Sequence, residues 1–262
     1  MRVDCHAHAS PDWFEPVEAL RFQMAANAVD KAVLVQFTGH YDNAYALAAA
    51  RADPDALACV VCVDAESPGA RAAVRAAAEA GAAGLRLRAE TRPRAIWEHA
   101  AEAGLVIDVL GRSATFAGRE FHDLCAALPG TTIIVEHLGE LRRENANYTE
   151  EQAVEVYRNI APLPNVLLKI HGFGEGGTRA ADLSHGIFAV TGEEKLYAAL
   201  EVLGPDRLMW GSDFPACSAR EGYANTLRYP LAALRERGIS AADEASIFGG
   251  LADKVFFGGD RA

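Results

Sequence analysis

Short apolar runs alternate with amphipathic stretches along the whole chain. Most of these runs are rich in β-branched residues or leucine, which is typical of strands that are covered on both faces. Eight of them have the length of a strand, at residues 3–8, 31–37, 56–64, 84–88, 105–110, 131–137, 166–171 and 207–214. The pattern therefore predicts eight buried strands.

Helical patterns separate these strands. We place them at residues 15–28, 41–52, 66–81, 93–103, 118–128, 150–160, 193–203, 223–237 and 240–257. The most strongly marked helix is 66–81, where Ser67 can cap the first turn, Pro68 suits the first helical position and Gly81 can end the helix. Strands and helices therefore alternate from one end of the chain to the other.

Eight strand–helix repeats in 262 residues predict an α/β protein, a closed (β/α)8 TIM barrel that forms a single domain over residues 1–262. An open doubly wound sheet is the alternative, but it usually carries a glycine-rich fingerprint directly after its first strand. Here the sequence HAHASPD occupies that place. The longest irregular stretches, 138–149 and 172–192, follow strands at the end where a barrel keeps its active site.

Composition and charge narrow the range of partners. Half of the residues are hydrophobic, enough for a large core, and the formal net charge is -11. An acidic chain without a Lys/Arg-rich run is a poor binder of nucleic acids or anionic membranes. We expect a small-molecule substrate, and local basic residues must bind it if it is anionic. The sequence leaves open whether two copies pair as a homodimer.

Several features favour a cytoplasmic location. No apolar run reaches the roughly 18 residues that a membrane-spanning helix needs, and Met1 leads directly into polar residues instead of a signal peptide. The chain has five cysteines, which are scattered along the sequence. Cys59 and Cys62 form a C-x-x-C pattern, but a spacing of three along a strand places them on opposite faces. We therefore expect buried, reduced thiols.

The first predicted strand carries an unusual polar alternation. Asp4, His6 and His8 occupy every second position, so a regular strand would direct all three to one face, the interior of the barrel. Two imidazoles near the mouth can bind one cation, and zinc and transition ions accept imidazole readily. The alternative is a pair of histidines that form hydrogen bonds within the barrel.

Two later strands end in further polar residues. His137 ends the sixth strand and Asp213 ends the eighth. Strand eight of a closed barrel lies beside strand one, so Asp213 can meet His6 and His8. Polar residues at the carboxyl ends of several barrel strands indicate a catalytic site. The sequence therefore predicts that these four residues share one pocket.

These motifs resemble a known superfamily. H-x-H on strand one, EHLG after strand six and WGSDFP after strand eight are similar to the amidohydrolase superfamily. Within it they resemble the amidohydrolase 2 branch, which includes 2-pyrone-4,6-dicarboxylate lactonase and a zinc-dependent aminocarboxymuconate semialdehyde decarboxylase. The resemblance implies a TIM barrel with His6 and His8 as metal or substrate-polarising ligands. It implies Asp213 as a ligand or base and His137 as the group that stabilises developing negative charge.

The chain also departs from parts of that superfamily. Members with two metals carry a bridging Lys or Glu on strand four and a His on strand five, whereas this chain has Arg86, Arg88 and Asp108. The decarboxylases also take a His ligand from strand five. The resemblance therefore implies a lactonase-like site with one divalent metal, Zn or Mn, or none, and no organic cofactor.

Other polar residues near the predicted mouth are candidates for substrate binding. Arg86 and Arg88 share one face and can hold a carboxylate, or they neutralise Asp108 or Asp4. Lys169 is expected to face the interior and to contact the substrate or the metal shell, and a buried lysine paired with an acid is the alternative. The full set of predicted substrate-binding residues is Arg86, Arg88, Lys169, His171, Glu175, His40 and Arg220. Of these, Glu175 lies in the glycine-rich loop GFGEGGT and is alternatively a metal ligand, a base or a solvated acid.

The predicted activity is hydrolysis of a small carboxylated lactone or a related C–O or C–N bond. Asp213 would take a proton from the attacking water, and His6 and His8 would hold a metal or polarise the carbonyl. A zinc-dependent decarboxylase or hydratase is the alternative from a different reaction class. A binding protein with an inactive site is the third possibility, and the retention of His6, His8, His137 and Asp213 argues against it.

Overall fold

A computed structural model describes residues 1–140 and 150–258, with only the backbone of 150–153 and of His185. Its main sheet has eight parallel strands in the order β1-β2-β3-β4-β5-β6-β7-β10. These are β1 Val3–Ala7, β2 Lys31–Val35, β3 Leu57–Val61, β4 Gly84–Arg88, β5 Val106–Leu110, β6 Ile133–Val135, β7 Val166–Ile170 and β10 Leu208–Trp210. All eight predicted strands are present.

The sheet closes on itself beyond the end of β10. The His8 amide donates to the Phe214 carbonyl (2.7 Å), and the Asp213 amide donates to the His6 carbonyl (2.8 Å). The segment that follows β10 therefore runs beside β1. The fold is a single-chain (β/α)8 TIM barrel, as predicted, and Asp213 lies next to the two histidines of β1.

Helices surround the barrel. They are Val17–Ala26, Ala44–Ala52, Ala70–Glu79, Ala95–Glu102, Ser113–Phe116, Arg119–Ala126, Glu150–Ile160, Glu193–Leu203, Tyr223–Glu236, Ala241–Ala245 and Leu251–Phe257. A π-helical turn, Ser246–Gly250, interrupts the helix predicted at 240–257. No helix in the described ranges has the length and apolar character needed to cross a membrane.

Two local expectations were wrong. The helix predicted from Ser67 begins only at Ala70, because the Ser67 hydroxyl accepts the Gly69 amide in a turn that precedes the helix. The stretch 172–192, expected to be irregular, contains a short antiparallel hairpin of β8 Thr178–Arg179 and β9 Phe188–Val190. Of the other irregular stretch, 138–149, only residues 138–140 lie within the described part of the chain.

The core has two layers. A larger cluster lies between the strands and the helices and includes Leu34, Leu85 and Trp210. A smaller cluster fills the barrel, where Cys5 and Met209 pack with Phe256 of the C-terminal helix. Burying an apolar side chain of this size contributes about 1.5–3 kcal/mol. The C-terminal helix therefore covers the amino-terminal end of the barrel, and the opposite end remains for a site.

The alternation predicted for the first strand is broken by a β-bulge. Asp4 pairs with Ala32 and Ala7 pairs with Leu34, so two residues of β1 stand opposite one residue of β2. Asp4 consequently faces the helix layer, where it accepts hydrogen bonds from Ser212 and from Tyr223 of helix Tyr223–Glu236. The prediction that Asp4 shares the interior face with the histidines was wrong.

The bulge is also what directs the histidines inwards. Without the extra residue, the face occupied by Cys5 in the barrel interior would continue to Ala7, and His6 would point to the helices. Gly211 on the neighbouring segment leaves room for this arrangement, since a Cβ there would lie 2.7 Å from the His6 Cβ. The expectation of buried thiols was correct, because all five cysteines are buried and free.

Candidate active site

Four residues from distant parts of the chain meet at the carboxyl end of the barrel. Asp213 Oδ1 lies 3.4 Å from His8 Nε2 and 3.9 Å from His6 Nε2. The ring centroid of His6 lies 5.0 Å from that of His8 and 5.1 Å from that of His137. All four side chains are buried. The structure thus brings together the residues that the strand ends indicated.

The contact between His8 and Asp213 calls for a positive charge. His8 Nδ1 lies 2.6 Å from the Val35 carbonyl, so this nitrogen carries a hydrogen and donates it. In a neutral ring Nε2 would then direct a lone pair at the Asp213 carboxylate. A proton or a cation between the two atoms removes that conflict. A separation of 3.4 Å suits two ligands of one tetrahedral ion with bonds of about 2.0–2.2 Å.

His6 has a different arrangement. Its Nδ1 lies 3.1 Å from Lys169 Nζ, and an ammonium group can only donate. Burial, together with the charge of Lys169, holds the pKa of His6 well below its usual range. A neutral His6 therefore carries its hydrogen on Nε2, a buried atom without a hydrogen-bond partner in the described part of the chain. That N–H is directed towards the pocket as a donor.

Lys169 contacts His6 through the Nδ1 atom of the imidazole. It is fully buried and forms an ion pair with Asp108, which is also fully buried. Burial raises the pKa of Asp108 to about 6, although the charge of Lys169 acts in the opposite direction. Lys169 thus faces the interior, as predicted, but its contacts are with Asp108 and His6. The observed pairing is the alternative left open by the sequence, a buried lysine paired with an acid, and Lys169 also contacts His6.

Arg86 pairs with a residue that the sequence did not single out. Its Nε and Nη2 donate to the two oxygens of Glu136 at 2.8 and 2.6 Å, and Nη1 donates to the Gln36 carbonyl. The expected alternatives, Asp108 and Asp4, have other partners. Glu136 shares the inward face of β6 with Ile134, so a two-residue period along the predicted strand 131–137 could have indicated Glu136.

His137 lies between two carboxylates. Its Nδ1 is 2.6 Å from Glu175 Oε2 and its Nε2 is 3.2 Å from Glu136 Oε2. Burial lowers the pKa of His137, but the charge of Glu175 and the hydrogen bonds outweigh burial and raise that pKa well above its usual range. The ring is an imidazolium. Because both N–H groups already have acceptors, donation to a substrate oxygen would require one carboxylate to move.

His171 stacks on this imidazolium. The two ring centroids are 4.3 Å apart at an interplanar angle of 10°, and His171 Nε2 accepts the His137 amide. Burial and the neighbouring positive charge lower the pKa of His171 to about 3. His171 therefore remains neutral. It fixes the backbone of His137, which has a left-handed φ of 53°.

Asp213 is fixed from its outer side. It also has a left-handed φ, 57°, and Arg220 Nη2 donates to its Oδ2 at 2.7 Å. Burial would raise the pKa of Asp213, but the contact with His8 and the charge of His137 hold it well below its usual range. Arg220 Nη1 also lies 3.8 Å from Glu175 Oε1. Arg220 thus binds Oδ2 of the ionised Asp213, and the other oxygen, Oδ1, faces His6 and His8.

Two predicted substrate-binding residues lie further out. Arg88 is exposed at the end of β4, with its Nε 3.7 Å from Glu90 Oε2. His40 follows β2, and its ring lies 5.9 Å from the exposed ring of Trp13. Neither contacts His6, His8 or Asp213 in the described residues. Both are on the outer part of the mouth, so substrate contact there stays a prediction.

Glu221 is a buried acid that fixes the glycine-rich loop. A Cβ at Gly174 would lie 1.4 Å from Glu221 Oε2, and a Cβ at Gly172 would lie 2.1 Å from Oε1. The carboxylate therefore occupies space that only glycine leaves free, and it holds the loop that brings Glu175 to His137. Burial raises the pKa of Glu221 to about 7.

Glu221→Gln should change how stability depends on pH. The folded-state pKa of about 7 exceeds the ordinary value of 4.5, so the stability that Glu221 contributes is complete below that ordinary value. It is lost as the pH rises through the folded-state value. The variant, which does not titrate, should match the wild type near about pH 4 and exceed its unfolding free energy by about 1–3 kcal/mol near pH 8.

Urea denaturation at several pH values measures this difference. Glu201→Gln, at an exposed position of helix Glu193–Leu203, serves as the control and should follow the wild type throughout. A constant difference between Glu221→Gln and the wild type at every pH would show that the Glu221 carboxylate does not change its charge on this scale.

The chain matches a known protein family and individual relatives. The family model described as Amidohydrolase matches residues 3–258. An L-fucono-1,5-lactonase of Burkholderia multivorans is 32% identical over 146 residues, which are 50% of this chain and 45% of that protein. A 4-sulfomuconolactone hydrolase of Rhizobium radiobacter is 32% identical over 117 residues, which are 44% of this chain and 35% of that protein. The matches span less than half the length of these relatives.

Solved structures show the same fold. An amidohydrolase from Burkholderia multivorans with bound Zn has a TM-score of 0.78 at 24% identity and covers 97% of this chain and 98% of its own. A putative 2-pyrone-4,6-dicarboxylic acid hydrolase from Pseudomonas putida has a TM-score of 0.74 at 22% identity, with 98% of each chain covered. A 5-carboxyvanillate decarboxylase from Sphingomonas paucimobilis has a TM-score of 0.63 at 16% identity, also with 98% of each chain covered.

Proposed function

Since the chain belongs to the amidohydrolase family, we propose that it hydrolyses a small carboxylated lactone at the carboxyl end of its barrel. The observation that carries this proposal is the convergence of an ionised Asp213 with His6 and His8 within 3.9 Å. The two relatives named as a lactonase and a lactone hydrolase support the ring ester of a lactone as the bond that is cleaved. Recognition of the anionic group is assigned to Arg88, which is exposed at the end of β4, because Arg86 and Arg220 are bound to Glu136 and Asp213.

The residues of the pocket fit a divalent cation, Zn or Mn. His8 Nε2 and Asp213 Oδ1 would hold it, and His6 Nε2 lies 3.9 Å from the same oxygen. Such an ion supplies Lewis-acid polarisation of oxygen when it is bound. His6 could ligate through Nε2 only if Lys169 released Nδ1, because a neutral imidazole carries one hydrogen.

In hydrolysis Asp213 acts as the base. Its Oδ1 takes a proton from water as the water oxygen adds to the acyl carbon, and His6 Nε2–H donates to the carbonyl oxygen. When the ring C–O bond breaks, Asp213 returns the proton to the leaving oxygen. Arg220 holds Oδ2 throughout, so the same carboxylate oxygen serves both transfers. A carboxylate with a low pKa is a weak base. The neighbouring positive charges compensate by stabilising the negative charge that develops on the substrate oxygen.

A panel of lactones tests the proposal. The protein is stripped with a chelator, reloaded with Zn or Mn, and mixed at neutral pH with lactones that carry or lack a ring carboxylate. We expect one proton released for each ring opened and a preference for carboxylated rings. Release of CO₂ without ring opening would indicate the decarboxylase alternative, and no turnover with either metal or without metal would refute the proposed hydrolysis.

A further inference from the structure

Glu175 reaches the candidate active site from a loop and not from a strand. It lies in the segment GFGEGGT, which follows β7, and its side chain is 8% exposed. Its Oε2 lies 2.6 Å from His137 Nδ1, and its Oε1 lies 3.8 Å from Arg220 Nη1. A carboxylate of the chain itself therefore lies between an imidazolium and a guanidinium.

Each of these two cations also contacts a second acid on another side. His137 Nε2 lies 3.2 Å from Glu136 Oε2, and Arg220 Nη2 donates to Asp213 Oδ2 at 2.7 Å. The remaining side of each cation faces Glu175. Burial acts to raise the pKa of Glu175, but the charge of His137 and the hydrogen bond with it lower that pKa to about 2. The space between His137 and Arg220 thus favours a carboxylate over a neutral group.

The loop fixes Glu175 in this position. The Glu221 carboxylate occupies the space beside Gly172 and Gly174, where a Cβ would lie 2.1 and 1.4 Å from its oxygens. The residues directly before Glu175 are therefore packed against a buried side chain, and Glu175 cannot leave without moving them. Its carboxylate is a built-in part of the site.

Hydrolysis creates a second carboxylate close to this position. An uncharged ring ester becomes a carboxylate and a hydroxyl group, and the new carboxylate forms on the acyl carbon beside Asp213. Without Glu175, N–H groups of His137 and Arg220 would be open to it. Hydrogen bonds between charged groups are roughly twice as strong as neutral ones, so the product would gain an interaction that the ring ester lacks.

We propose that His137 and Arg220 form a carboxylate-binding subsite, that Glu175 fills it, and that Glu175 thereby keeps the carboxylate product from remaining bound. The role in product release rests on the proposed function, whereas the subsite itself does not require turnover. Glu175 is then neither a base nor a metal ligand. It competes with the product for the same two cations.

Acetate tests the subsite without turnover. Glu175→Ala removes a methylene and a carboxylate, and acetate supplies a group of that size and charge. Broadening of the acetate methyl signal in NMR measures binding. We expect acetate to bind to Glu175→Ala at least about tenfold more tightly than to the wild type, a difference of about 1.4 kcal/mol. Acetamide, which has the same shape and no charge, should show no such gain.

Two control variants locate the effect. Adding Arg220→Gln to Glu175→Ala removes one of the two cations and should abolish most of the gain in acetate affinity. Glu201→Gln removes an exposed carboxylate on helix Glu193–Leu203 and should bind acetate as the wild type does.

Turnover tests the role in product release with a variant that keeps the packing. Glu175→Gln has nearly the same shape, and its amide oxygen can still accept the hydrogen bond from His137. Substrate and product share every group except the opened ester, so the ratio of the product Ki to the lactone KM isolates the new carboxylate. We expect this ratio to fall about tenfold in Glu175→Gln and to stay unchanged in Glu201→Gln.

Defined outcomes would overturn the inference. Equal acetate affinity in Glu175→Ala and the wild type, or an equal gain for acetamide, would show that no carboxylate subsite exists there. An unchanged ratio of product Ki to lactone KM in Glu175→Gln would exclude the role in product release. If acetate binds as expected but no lactone is hydrolysed, the proposed function fails and the carboxylate subsite stands.

Discussion

Asp213→Asn should lower kcat/KM for a carboxylated lactone by about 10³-fold or more, in line with the 10²–10⁴ that a positioned acid–base group supplies. The amide cannot accept the proton of the attacking water, and it removes the negative charge opposite His8. Steady-state hydrolysis of the best lactone from the panel measures the effect. Asp206→Asn, at an exposed position beyond helix Glu193–Leu203, is the matched control and should retain wild-type activity.

Folding must be intact for that result to count. Asparagine has the shape of aspartate, and its amide oxygen can still accept the hydrogen bond from Arg220. Because the pKa of Asp213 is held well below its usual range, its charge stabilises the fold, so we expect Asp213→Asn to lower the Tm but to keep a cooperative unfolding transition above the assay temperature. Activity within tenfold of the wild type in a folded variant would rule out Asp213 as the base.

Lys169→Met should lower the free energy of unfolding by about 3–5 kcal/mol, because removal of one partner leaves the other charge buried and unpaired. Both Lys169 and Asp108 are 0% exposed, so water cannot replace the missing ammonium. Methionine fills a similar volume with an apolar side chain, which keeps the cavity term small. Urea denaturation provides the measurement.

The loss of unfolding free energy in Lys169→Met should also depend on pH. Without the ammonium the folded-state pKa of Asp108, already raised to about 6, rises further. An acid with a raised pKa has its full stability below the unfolded value and loses it as the pH rises through the folded value. The destabilisation of Lys169→Met should therefore be larger at about pH 8 than at pH 5.

Two further variants complete this test. Lys169→Met combined with Asp108→Asn removes both charges and should recover a large part of the lost stability. Lys31→Met breaks the partly exposed pair with Asp253 and should cost no more than about 1 kcal/mol. If Lys169→Met costs no more than Lys31→Met at any pH, the buried ion pair does not have the structural role assigned to it.

The barrel and the meeting of its strand ends were predictable from the sequence. Apolar periodicity shows where each strand lies, and closure of the barrel then places Asp213 beside the residues of β1. The bulge in β1 was not predictable, because it is defined by the pairing of Asp4 and Ala7 with β2 and not by β1 alone. The prediction that His6 and His8 face the interior was confirmed, but through a different local geometry.

The partners of the buried charges were also beyond the sequence. A period of two shows that Arg86, Asp108 and Lys169 face inwards, but it does not show which acid each cation meets. That choice depends on the distances across the barrel, which pair Arg86 with Glu136 and Lys169 with Asp108. The packing of Trp13, Phe14 and Phe37 beside His8 was missed for a similar reason, since these residues come from two loops without periodicity.

Ring opening in ¹⁸O-labelled water tests the central claim most directly. If Asp213 activates a water that adds to the acyl carbon, mass spectrometry of the hydroxy acid should show the label in the newly formed carboxylate and none in the hydroxyl group. Label in the hydroxyl group, or a product that has lost CO₂ and contains no label, would contradict the account.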